Sequence, residues 1–143
     1  MAKKNELPGF VKKRKILFGE KVSPEQRRTT GIEFMEAGRY DDALEFFARA
    51  DAGEYVRKIA NIAREEGNVP IYLRAKGVLE EKPEQDDFEE LAGKALEKNR
   101  PSMAVVAYQK AGLEEQADRL RSEVFGEEAQ DEEEAGEGEE GEK

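Results

Sequence analysis

Small and apolar residues recur along the chain at the three- and four-residue spacing of a helix face, and one such pattern occurs twice. The first copy consists of Gly31, Phe34, Gly38, Tyr40, Ala43, Phe47 and Ala50, and the second of Ala92, Ala95, Asn99, Pro101, Ala104, Tyr108 and Ala111. Small residues where two helices cross let the backbones approach closely, and the aromatic residue four positions after Ala43 or Ala104 fills the remaining space. The pattern therefore predicts helical hairpins, in which these positions are structural.

Start and stop signals place seven helices along the chain. Ser23, Pro24, Glu25 and Gln26 form a capping-box sequence with proline at the first helical position. The predicted helices are 24–38, 41–52, 54–66, 70–83, 84–98, 101–112 and 113–124. No segment alternates polar and apolar residues for long enough to predict a strand, so the predicted fold class is all-α.

The repeated spacing resembles the second helix of the tetratricopeptide repeat, in which an aromatic residue and a second alanine follow the first alanine. Residues 54–81 resemble a degenerate middle copy, with Tyr72 where the alanine belongs. The first copy departs from the pattern at Arg27 and Thr30, where the second copy has Phe88 and Leu91. The resemblance covers residues 23 to about 125 and implies a short α-solenoid of about three hairpins with a C-terminal capping helix.

Charge divides the 143-residue chain, whose net charge is −10, into three parts. Residues 1–22 carry a net charge of +5, residues 127–143 carry −9, and the intervening residues carry −6. The last segment has no large apolar residue that would offset the entropy of ordering. We therefore predict a basic N-terminal arm at 1–22, a helical repeat domain at 23–126 and a disordered acidic tail at 127–143.

The chain has no histidine and no cysteine, which argues against an enzyme. It lacks the commonest general base and any thiolate nucleophile or thiolate metal ligand. Acidic pairs such as Asp41 and Asp42 are expected by chance among 34 Asp and Glu residues. We predict no catalytic residue, metal site or cofactor. We also predict a cytoplasmic location, because no apolar run approaches the roughly 18 residues of a membrane span.

The resemblance implies a binding surface on the concave face, which the first helix of each hairpin lines. The candidate partner-binding residues on this face are Arg28, Met35, Arg57, Asn61, Arg64 and Glu89. Arg57, Asn61 and Arg64 share one helix face and offer donors to a carboxylate, although pairing with Glu54, Glu65 or Glu66 is the simpler role. We predict a protein-interaction adaptor whose partner is another protein or a peptide.

The basic arm supports an alternative function. Lys12, Lys13, Arg14 and Lys15 are consecutive and form a possible anion-binding site. Such a run is typical of a factor that associates with nucleic acid or an anionic membrane. The neighbouring Leu17 and Phe18 instead suggest that the arm packs on the first hairpin as a cap and leaves the four cations in water. Sequence alone leaves both roles open.

Overall fold

In the computed structural model, residues 7–126 are described and form eight α-helices, with no strand among these residues. The helices are α1 (Phe10–Phe18), α2 (Pro24–Glu36), α3 (Tyr40–Arg49), α4 (Gly53–Glu66), α5 (Val69–Val78), α6 (Gln85–Glu97), α7 (Pro101–Lys110) and α8 (114–126, where the described residues end). The all-α prediction is confirmed. The predicted disordered tail at 127–143 and the first six residues of the predicted arm lie outside the described residues.

One residue with left-handed backbone follows each helix from α2 to α7 and ends it. These residues are Gly38, Asp51, Gly67, Glu80, Asn99 and Gly112, with φ between 53° and 80°. After α2, the Arg39 amide donates to the Phe34 carbonyl at 2.9 Å, and after α6 the Arg100 amide donates to the Ala95 carbonyl at 2.8 Å. These bonds satisfy the last helical carbonyls and reverse the chain within a few residues. Glu80 therefore ends α5 before Pro83, the residue at which the sequence predicted the end.

The chain divides into two compact units. Of the described residues, the first unit contains those up to Ala63 together with Pro70–Pro83, and the second contains Arg64–Val69 together with those from Glu84 to Gly126. Each unit holds one of the two hairpins that the repeated spacing predicts: α2 packs on α3 in the first unit, and α6 packs on α7 in the second.

Aromatic residues fill the core of the first unit. Phe34 on α2 and Phe46 on α3 are both fully buried, and their rings stack with centroids 5.4 Å apart. A Cβ atom at Gly31 would lie only 2.6 Å from the ring of Phe47, so this crossing requires glycine. The fully buried side chains of the unit also include Leu44, Val56 and Ile59.

The helix α1, which the sequence did not predict, is fixed to this hairpin. Ile16 and Leu17 are buried, and Arg27 on α2 donates from Nε to the Ile16 carbonyl at 3.1 Å and from Nη2 to the Gly19 carbonyl at 2.8 Å. A cation at these carbonyls also complements the negative end of the helix dipole. The expected packing is confirmed for Leu17 and is wrong for Phe18, whose exposed fraction is 49%.

Alanine dominates the core of the second unit. Ala92, Ala95, Ala104 and Ala107 are fully buried between α6 and α7. Glu84 and Asp87 form a reciprocal capping box at the start of α6. A cap was also expected at Ser23, whose hydroxyl accepts the Gln26 amide at 3.1 Å before α2.

The two hairpins correspond residue by residue. The bounds of α6 and α7 each lie 61 residues after those of α2 and α3. The left-handed residue between the helices, Gly38 or Asn99, is displaced by the same 61 positions. The spacing found twice in the sequence is therefore a repeat of backbone structure.

Candidate functional site

The predicted binding face of α2 is partly apolar and accessible. Arg28 is exposed, and Ile32 and Met35, which lie on the same side of the helix, are half-buried. The neighbouring positions Gly31 and Phe34 are instead buried in the hairpin. Thus one face of α2 packs in the hairpin, and a second face is accessible to a partner.

On α4, Arg57 is held in an ion pair. Its guanidinium donates to both carboxylate oxygens of Glu81, from Nη2 to Oε2 at 2.6 Å and from Nη1 to Oε1 at 3.3 Å. Lys76 donates to the same Oε1 at 2.8 Å. Arg57 and then Lys76 lower the pKa of Glu81 to about 2, and Glu81 raises the pKa of Arg57. Arg57 is thus paired, although none of the three glutamates suggested by sequence is its partner.

The other candidates on this predicted face divide between the two units. Asn61 is exposed and shares the α4 face with Arg57 in the first unit. Arg64 is half-buried and belongs to the second unit. Glu89, also in the second unit, accepts a hydrogen bond from Gln85 Nε2 at 3.1 Å. Four of the six candidates therefore belong to the first unit, two on α2 and two on α4, and the other two belong to the second unit.

The ten repeat positions lie in or beside the hairpin cores. Gly31, Phe34, Ala43, Phe47, Ala92, Ala95 and Ala104 are buried, and Ala50, Tyr108 and Ala111 are half-buried. Ala50 and Ala111 each occupy the C-cap position of their helix, α3 and α7 respectively. These residues hold the helices together and offer no reactive group.

An open groove between α3 and α5 was missed by sequence reasoning. Its volume is about 480 Å³, and its lining combines the apolar residues Leu44, Ala48 and Val78 with the charged residues Asp41, Glu45, Arg49 and Arg74. Arg74 forms an ion pair with Asp41 at the edge. No local sequence signal marks this groove, because α3 and α5 approach each other through the tertiary fold.

A second missed surface is the solvent-facing side of α1, which we call the outer face. Its apolar members are Phe10, Val11 and Phe18, with exposed fractions of 74%, 65% and 49%. The Arg14 guanidinium carbon lies 5.7 Å from the ring centroid of Phe10 and 5.3 Å from that of Phe18. Arg49 on α3 lies 4.2 Å from the Phe18 centroid. The face therefore combines exposed aromatic rings with guanidinium groups.

The four consecutive basic residues of the arm do not act as one cluster. Lys12, Arg14 and Lys15 are exposed, as expected. Lys13 instead points inward, where it forms a short ion pair with Asp42 and a second ion pair with Glu45 at 3.5 Å. The hydrogen bond to Asp42 raises the pKa of Lys13. The expectation that all four cations stay in water is wrong for Lys13, because α1 packs through this side.

Among residues 7–126 there is no group of acidic residues arranged to hold a metal ion. None of the helices described is both long and apolar enough to cross a membrane. In comparisons with protein-family models, curated proteins and solved structures, nothing matched the chain. Its candidate sites must therefore be judged by their own geometry.

Proposed function

We propose that this chain is a non-catalytic adaptor of the cytoplasm that binds another protein or a peptide through the first helices of its hairpins. The observation that carries the proposal is the accessible face of α2, where half-buried Ile32 and Met35 lie beside exposed Arg28. Such a mixture of apolar and charged groups suits a polypeptide partner, because burial of the apolar groups supplies affinity and the charge supplies orientation.

The proposal includes a tetratricopeptide-like arrangement. Two hairpins with the same helix bounds, displaced by 61 residues, support a helical repeat. In this interpretation α4 and α5 form the middle hairpin and α8 is the capping helix of a short α-solenoid. A single hairpin cannot bury both of its faces, so repeats of this type stack on their neighbours and present the first helices on one side.

A non-catalytic role is supported by the state of the polar groups. The sequence contains no histidine or cysteine, and several carboxylates in the first unit are engaged by cations. Each of these ion pairs joins residues at least 24 positions apart in sequence, so the carboxylates involved link separate elements of the fold.

The test is affinity capture from a cytosolic extract, with the retained proteins identified by mass spectrometry. The variant Arg28→Glu with Met35→Gln alters the α2 face without touching the buried hairpin positions. We expect the variant to capture about tenfold less, or lower still, of a partner that the unchanged chain retains. The reason is that loss of one good interface anchor weakens binding by about 2 kcal/mol. Charge reversal at Arg57 is less informative, because it also opposes Glu81 within the fold.

A matched control is Lys110→Glu with Val106→Gln on α7. It likewise reverses one exposed cation and replaces one accessible apolar residue. The control should retain the partner, and circular dichroism should show the same helicity for both variants. Equal capture by the α2 variant and the unchanged chain, or loss with both variants, would contradict binding through α2.

A further inference from the structure

We propose that the outer face of α1 docks on the surface of an anionic phospholipid bilayer. This role is separate from protein binding through α2. The sequence left two roles open for the basic arm, packing on the first hairpin and binding of an anionic ligand. In the structure, opposite sides of one helix separate these two roles: Ile16 and Leu17 are buried, whereas Phe10, Val11 and Phe18 are exposed.

The inner side of α1 fixes the orientation of its outer face. Arg27 holds the carbonyls of Ile16 and Gly19, and Lys13 pairs with Asp42 and Glu45. A helix that is already formed and anchored does not have to be ordered when it reaches a membrane. The usual entropic cost of folding a free basic tail at the surface is therefore avoided.

The cations around the outer face are available to an external anion. Among the residues described, Lys12, Arg14, Lys15 and Arg49 form no ion pair with a carboxylate. Asp42 and Glu45 are the acidic groups that bond α1, and both bond the inward-pointing Lys13. The outer face thus presents three exposed apolar side chains and has four cations without carboxylate partners beside it. This combination complements a surface that is both anionic and apolar.

A lipid surface fits this face better than a nucleic acid does. Arg14 and Arg49 both lie over the ring of Phe18, so this ring is already partly occupied as a stacking platform. Val11, with an exposed fraction of 65%, has no flat face on which a base stacks. The boundary between head groups and acyl chains accepts all three apolar side chains and places phosphates beside the cations.

The binding mode places α1 parallel to the membrane. Phe10, Val11 and Phe18 enter the interface, while Lys12, Arg14 and Lys15 contact lipid phosphates. A helix of nine residues inserts little apolar area, so binding depends on both contributions. The chain as a whole has a net charge of −10 and is repelled by an anionic surface, so we expect binding at moderate salt, which screens the distant charges. The anionic lipid is needed because its phosphates contact the cations of the outer face.

The chain contains no tryptophan, which permits a direct measurement. Phe10→Trp introduces one fluorophore on the outer face of the full chain, and Val106→Trp on α7 is the matched exposed control. Titration with phosphatidylcholine vesicles containing phosphatidylglycerol should shift the emission of the Phe10→Trp variant to shorter wavelength. Neither pure phosphatidylcholine vesicles nor the control position should produce this shift.

Two variants of the full chain test the two contributions separately by vesicle co-sedimentation. Replacing Lys12, Arg14 and Lys15 with Gln should reduce partitioning at least about tenfold, since each cation near an anionic surface contributes several-fold. Replacing Phe10, Val11 and Phe18 with Ser should have an effect of similar size. Replacing the exposed cations Lys82, Lys98 and Lys110 with Gln removes the same charge elsewhere and should change partitioning less than about threefold.

The proposal is overturned if the full chain does not bind anionic vesicles, or if the matched control loses as much binding as the two outer-face variants. Unchanged binding by the serine variant with intact helicity would also overturn it, because charge alone would then suffice. Tight binding of single-stranded RNA that the Gln variant abolishes, without vesicle binding, would assign the face to nucleic acid. If the serine variant loses helicity, the emission of the Phe10→Trp variant decides the question.

Discussion

The hairpins α2–α3 and α6–α7 have helices and turns of the same length but different cores. Phe34, Phe46 and Phe47 fill the first hairpin and are fully buried. The positions 61 residues later hold Ala95, Ala107 and Tyr108, of which the two alanines are fully buried and the tyrosine is half-buried. The turns and the small residues at the helix crossing thus set the path of the backbone. The size of the side chains packed between the helices can differ between the two hairpins.

The opening helices differ for a reason that involves α1. Arg27 on α2 donates to two carbonyls of the α1 end, whereas Phe88, at the corresponding position of α6, is a buried core residue. The departure of the first copy from the repeat pattern is therefore an adaptation to a neighbouring helix. A mismatch in a repeat can indicate a local contact that the other copy does not make.

Removing the aromatic filling should give the largest difference between the hairpins. Phe47→Ala leaves a cavity in the first hairpin, and we expect a loss of about 3–5 kcal/mol in the free energy of unfolding. Tyr108→Ala, at the corresponding half-buried position, should cost less than half as much. Chemical denaturation followed by circular dichroism measures both. Equal losses would mean that the tyrosine fills the second hairpin as the phenylalanine fills the first.

Breaking the anchor of α1 should have the next largest effect. Arg27→Gln removes a charged donor to the Ile16 and Gly19 carbonyls, and we expect a loss of about 1.5–3 kcal/mol. Arg28→Gln removes an adjacent exposed cation and is the control, with an expected change within about 0.5 kcal/mol. Amide hydrogen exchange should accelerate in α1 for the first variant alone. Unchanged exchange there would show that Ile16 and Leu17 suffice to hold the helix.

Exchanging the small residues at the crossings should affect the two copies unequally. Gly31→Ala places a methyl group against the ring of Phe47 and should cost about 1–3 kcal/mol through overpacking. The corresponding change in the second copy, Ala92→Gly, should cost about 0.5–1 kcal/mol through helix propensity. Melting temperatures of both variants test this order. A neutral Gly31→Ala variant would mean that overpacking against Phe47 costs no more than the gain in helix propensity, about 0.5–1 kcal/mol.

The ion pair of Glu81 should give the smallest effect and a characteristic pH dependence. Its pKa is about 2 in the folded chain against an ordinary value of 4.5, so its stabilising contribution is present above pH 4.5 and is lost as the pH falls towards 2. The melting temperature of Glu81→Gln should therefore lie slightly below that of the unchanged chain at pH 7 and converge with it near pH 2. Glu33→Gln, at an exposed carboxylate on α2, is the control. A difference that persists at pH 2 would point to lost packing instead.

Local signals predicted most of the helices. Proline at the start of α2 and α7 and glycine or asparagine after α2, α4 and α6 placed those ends within two residues of the structure. The helix α1 was missed because only Ile16 and Leu17 are buried, too few for a visible apolar period. Phe46 was missed because the repeat spacing identifies one narrow face of α3, while the hairpin buries a wider one.

The candidate sites were less predictable, because they depend on contacts between distant residues. Glu81 lies 24 residues after Arg57, so helical spacing could not identify this ion pair. The division of Lys12, Lys13, Arg14 and Lys15 between two sides of α1 required the position of Asp42 on α3. The partner could not be predicted from local sequence, since the accessible surfaces contain no residue type that is specific to one partner.

The short turns after α2 to α7 also bear on how the chain folds. The helices from α2 to α8 are joined by connections of only two to six residues, and each hairpin pairs helices that are adjacent in sequence. Little loop entropy is lost before such local contacts form, and chains of this kind fold on microsecond to millisecond timescales. Each hairpin is thus able to form soon after its second helix leaves the ribosome. This would limit the time for which the buried phenylalanines of the first hairpin are exposed to aggregation during synthesis.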